Sequence, residues 1–147
     1  MRSILSGLDF AEMTLTELED TLPNGFHDSV LNGIDIRLAE GQVVLRMDID
    51  FSQPDGEDGV FREAEIVLEG MQTIALDGPS RHLPPRATGL DIDCFTPTAK
   101  QYPGLAELPE EVRKNVHSLY LGGDWNSYIH LAAKSARVVW TSGVEAD

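Results

Sequence analysis

Between Val43 and Phe51 the chain alternates with a period of two: Val43, Leu45, Met47, Ile49 and Phe51 are apolar, and Val44, Arg46, Asp48 and Asp50 lie between them. Successive side chains of a strand point to opposite faces, so this stretch predicts a strand with one buried face and one wet, charged face. Ile34, Ile36 and Leu38 repeat the pattern against Gly33, Asp35 and Arg37, and Ala39-Glu40-Gly41-Gln42 supplies the glycine of a short reversal. The run from Leu22 to Phe51 therefore reads as a turn feeding an antiparallel hairpin, against which the later segments pack.

Upstream, Leu15, Leu18 and Leu22 fall at helical spacing, and Thr14 with Glu17 forms a capping-box pattern, which predicts a short helix over residues 14–22 ended by Pro23-Asn24-Gly25. Downstream, Ala64, Ile66 and Leu68 predict a third strand, Gly70 a bend, and residues 71–76 a fourth strand. Residues 78–87 carry three prolines and read as a surface loop, and Leu90, Ile92 and Cys94 form a fifth strand. Residues 98–115 are irregular, with helical turns expected after Pro103 and Pro109. Residues 116–121, 125–133 and 136–140 complete the pattern as three further strands, with 128–135 also compatible with a helix. The expected architecture is mainly β: an antiparallel sandwich or strongly curved sheet of about seven or eight strands with one short N-terminal helix.

A chain of 147 residues fits a single domain spanning 1–147, with residues 1–13 expected to form a loosely ordered arm. The formal net charge of -14 repels phosphate backbones and anionic lipid, so nucleic acid and membrane are disfavoured as partners; a basic protein partner or a metal cation stays electrostatically allowed, beside the plainer reading of acidity as solubility. Cys94 has no second cysteine to pair with. The opening residues hold no apolar run of signal-peptide or membrane-span length, so a cytoplasmic location is expected.

The first chemical candidates are His27 and Asp28, an imidazole beside a carboxylate, with Asp48 as a further carboxylate for a general-base or metal-dependent hydrolase. Neighbours in a strand face opposite ways, so His27 and Asp28 meet only where the backbone turns; the bland alternative is a buried or half-buried His27 and an Asp28 that closes the turn. The four histidines show no metal-ligand spacing, and no metal site or cofactor is assigned. Asp55-Gly56-Glu57-Asp58-Gly59 is acidic and glycine-rich but lacks the full Ca²⁺-loop pattern, leaving a Ca²⁺-binding module as a further alternative. The nucleophile elbow, phosphate loop and dinucleotide fingerprint are all missing from the sequence. Trp125 and Asn126 are candidate binding residues, an aromatic and an amide of the kind that suit recognition surfaces, against the commoner reading of a core Trp125 and an Asn126 that satisfies a turn.

Leu22-Pro-Asn-Gly-Phe-His-Asp28 and Trp125-Asn-Ser-Tyr-Ile-His-Leu-Ala-Ala133 resemble features of a group of small bacterial proteins that begin with a Phe-His-Asp hairpin and close with an Asn-Ser-aromatic-Ile strand, some of them similar to immunity proteins of polymorphic toxin systems. The resemblance implies a β-rich fold and protein binding, and carries over no catalytic residue. The resulting expectation is an acidic, non-catalytic protein-binding domain.

Overall fold

A computed structural model describes residues 13–52, 60–77, 90–98, 100–122 and 127–141, with the backbone alone described over 90–95. Six antiparallel strands occur among the described residues: β1 (Ser29–Arg37), β2 (Gln42–Asp50), β3 (Phe61–Leu76), β4 (Leu90–Phe95), β5 (Val116–Leu121) and β6 (Ser127–Trp140). They pair in the order β1-β2-β3-β6-β5-β4, and β4 returns to β1 to close a barrel. The closing seam is short, with Ser29–Leu31 facing Leu90–Ile92.

The mainly β class and the strongly curved sheet hold; among the described residues the sheet closes as a barrel of six strands rather than a sandwich of seven or eight. Two of the expected strand breaks are bends within continuous strands. β3 runs unbroken for 16 residues through Gly70, and β6 for 14 residues through Lys134 and Ser135. The core-facing set on β3 steps from Ala64, Ile66 and Leu68 to Met71 and Ile74; that on β6 steps from Ile129, Leu131 and Ala133 to Ala136, Val138 and Trp140. Each set advances by three at the bend, and the period of two slips phase there. Gly70 makes the bend sterically possible, because its φ of +65° lies in the left-handed region that a side chain disfavours. A further register shift lies between Met71 and Thr73.

The hairpin itself follows its alternation. Val43, Leu45, Met47 and Ile49 are buried in the barrel, Arg46 is exposed and Asp48 is half-buried. Three expectations fail in the hairpin: Val44 and Asp50 are buried as well, and Leu38, expected beside Ile34 and Ile36 on the core face of the first strand, lies exposed in the 3-10 turn that follows it, where the chain has already left the sheet. Asp50 sits where its polar groups are satisfied: its amide donates to Ser29 Oγ at 3.1 Å, its carboxylate accepts from the Ser52 amide at 2.9 Å, and its carbonyl accepts from Asn24 Nδ2 at 3.2 Å.

α1 (Leu15–Asp20) carries the full capping box, with Glu17 N–H donating to Thr14 Oγ1 and Thr14 N–H to Glu17 Oε1. Its Leu15 and Leu18, followed by Leu22 and Phe26, join the barrel core. The Ala136 amide donates to the Met13 carbonyl at 2.7 Å, which ties the start of the helix to β6. The turns after Pro103 and Pro109 are a 3-10 helix at Pro103–Glu107 and α2 (Glu110–Arg113).

Candidate functional site

His27 and Asp28 do meet, because the backbone turns. Asp28 adopts a φ of 61°, a conformation that Asp tolerates better than most residues, and His27 Nε2 lies 3.5 Å from Asp28 Oδ2. Both side chains are about two-thirds exposed, so the buried or half-buried His27 of the bland alternative is corrected. Asp48 accepts a hydrogen bond from Asn32 Nδ2 at 3.2 Å on the outer face of β2. None of the three lines the clefts described below. Trp125, Asn126 and the 55–59 loop lie outside the described residues. Among the described residues no group of three His, Cys, Asp or Glu side chains is placed to hold a metal ion.

Two other histidines are the buried ionisable groups of interest. His117 projects from β5 beside Leu131 and meets α1, where Nε2 lies 3.0 Å from Glu19 Oε1 and Nδ1 lies 3.3 Å from Thr16 Oγ1. Burial alone would raise the Glu19 pKa, but the His117 hydrogen bond, the Phe26 amide on Oε2 and the His117 charge together outweigh it and hold the carboxyl below its usual 4.5. This cluster pins the helix to the barrel.

His130 lies on the opposite face of β6, across from Ser118, whose hydroxyl is 2.5 Å from His130 Nδ1. Tyr102 covers the ring in a parallel stack at 4.2 Å, and Tyr128 stacks at 5.7 Å. Nε2 is buried and makes no hydrogen bond with the described residues. Burial lowers the His130 pKa below the usual 6.5, against the opposing pull of the Asp77 charge and the Gln101 carbonyl. The Ser118–His130 pair has the composition of a nucleophile and its base. Ser118 and His130 are both fully enclosed, however, and neither lines the clefts described below.

Accessible space lies instead in two clefts, one of about 480 Å³ where α1 meets β6 and a smaller one at the hairpin end of the barrel. β2 begins at Gln42, opposite Glu69, while β3 continues to Leu76, leaving a mouth of about 240 Å³. Ile36, Leu38, Met71 and Ile74 are among its walls. Leu38 is 84% exposed in the 3-10 turn between β1 and β2 and is the most exposed large apolar side chain described. A second cleft, lined by Met13, Leu18, Thr21 and residues 136–138, lies where α1 meets β6. Sequence reasoning passes over the mouth, because it assigns Leu38 to the apolar face of the first strand and starts the reversal at Ala39, one residue after the turn begins in the structure.

The chain matches no protein-family model, no curated protein and no solved structure.

Proposed function

We propose that the chain is an acidic protein-binding domain, immunity-like in the sense of its resemblance, whose partner is a basic protein received at the hairpin end of the barrel. The observation that carries the reading is the exposed Leu38 at the rim of an apolar mouth, on a chain of net charge -14. An apolar rim on a charged surface is a common form of recognition site, in which the apolar centre supplies affinity and the surrounding field supplies rate and selectivity.

Affinity capture at low salt, with the wild type and Leu38→Asp side by side, tests it. The reading expects a basic protein that is retained at low salt, released as salt rises, and lost in the variant. Recovery of no protein, or equal recovery by Leu38→Asp, contradicts it. The immunity-like form makes the narrower claim that this partner is a toxin encoded beside the chain.

A further inference from the structure

We infer that the far half of β3 is a docking edge for an extended segment of that basic partner, which adds as a strand where β2 has ended. The inference rests on the protein-binding reading and names how the partner is held. Its first support is the backbone. The last link between β3 and the β2 side is the Met71 amide donating to the Gly41 carbonyl at 3.0 Å. Beyond it, among the described residues, β3 is paired with β6 alone, from Thr73↔Ala132 to Leu76↔Ile129. The Asp77 amide donates to the Tyr128 carbonyl at 3.1 Å. Bonded and non-bonded positions alternate in an antiparallel pair, so Thr73, Ala75 and Asp77 turn their polar groups to β6. Ile74 and Leu76 turn theirs to the side on which no described strand lies. An exposed strand edge of this kind is a template for another strand.

The second support is the surface beside this edge. The mouth lined by Ile36, Leu38, Met71 and Ile74 opens at the same place, so a strand laid on this edge sends alternate side chains into an apolar recess. Charge selects the occupant. The nearby ion pairs cancel, Arg37 with Asp35 and Arg137 with Glu69 at 3.8 Å, while Lys134 packs against Gly70, which leaves the field of the whole chain to decide. With a net charge of -14 on each copy, a second copy of this chain is repelled and a lysine- or arginine-bearing strand is attracted. The segment that fits is extended and short, with apolar side chains on one face and basic ones on the other.

A synthetic peptide alternating lysine and valine is the probe, titrated at low salt by calorimetry or fluorescence anisotropy. The expected result is saturable binding that weakens at least about tenfold when alternate peptide amides are N-methylated, and by a similar factor when the same residues are rearranged into separate lysine and valine blocks. Leu76→Pro removes one outward-facing amide and leaves the β6 ladder intact. It is expected to lose about tenfold, whereas Leu76→Ala loses less than about threefold; thermal melting of both variants verifies that they fold. Absence of binding, or binding that N-methylation and the block peptide leave unchanged, overturns the inference. So does a dimer of the free chain that Leu76→Pro dissolves, since the edge is then occupied by a second copy. Partner capture that depends on Leu38 but not on the Leu76 amide overturns this inference and leaves the protein-binding reading standing; failure of capture altogether removes both.

Discussion

The two halves of β3 carry similar residues and meet opposite fates. From Ala64 to Leu68 the strand lies between β2 and β6, and Ala64, Ile66 and Leu68 are wholly buried. Beyond the Met71–Gly41 hydrogen bond, β6 is the one described strand beside it as far as Leu76, and its apolar residues from Met71 on are half-buried or, at Leu76, exposed. Hydropathy does not separate Ile66 from Ile74. What separates them is whether a neighbouring strand is present, and β2 stops because the hairpin turns back at Leu38–Gly41. Among the described residues, the fold closes around one half of the strand and not the other, and the burial that stabilises it is concentrated in the first half.

The largest contrast comes from truncating matched residues in the two halves. Ile66→Ala empties a filled interior and is expected to cost about 2–5 kcal/mol, whereas Ile74→Ala, at the mouth, is expected to cost about 1 kcal/mol or less. Urea unfolding of both variants measures this, and equal losses break the comparison. His117→Leu strands the Glu19 carboxylate under the helix and is expected to cost about 1–3 kcal/mol, read as a lower urea midpoint. Gly70→Ala tests the hinge between the halves. Its new Cβ would sit 3.0 Å from Lys134 Cβ at a left-handed φ, for an expected loss of about 1–2 kcal/mol.

Acid sensitivity is a finer probe. The folded-state pKa of His130 is depressed, so the unfolded chain binds the proton more readily, and stability falls as pH drops below about 6.5 toward the folded value. The depressed Glu19 pKa adds a second loss that begins below 4.5, as the carboxylate is protonated. His130→Phe is expected to flatten the upper part of this decline and leave the lower part, as followed by urea midpoints at neutral and mildly acidic pH. Smallest of all is Leu38→Asp, which is expected to alter stability by no more than about 0.5 kcal/mol while abolishing partner capture.

Wherever the period of two ran without interruption, the sequence was legible: β2 was read from Val43 to Ile49, and α1 from Thr14 and Glu17. The strand count was not. A period that slips by one residue at Gly70 and again near Lys134 has the same appearance as two strands with a break, and only the partner strand, slipping at the same point, shows it to be one bent ribbon. Asp50 was read as wet because alternation places it outward, and its burial depends on Ser29 and Asn24, far off in sequence. His27 and Asp28 drew attention as neighbours, but the pair is open to solvent. The enclosed histidines, His117 and His130, owe their surroundings to cross-strand partners and to segments more than a dozen residues away, which no local motif encodes.

Backbone amide hydrogen exchange along β3, resolved residue by residue by NMR, tests the division of this strand most directly. Slow exchange at Ile66, Leu68 and Asp77 with fast exchange at Ile74 and Leu76 is the predicted result, since the last two amides face the side on which no described strand lies. Protection at Ile74 and Leu76 equal to that at Ile66 would mean that the edge is already covered in the free chain, and would contradict the account.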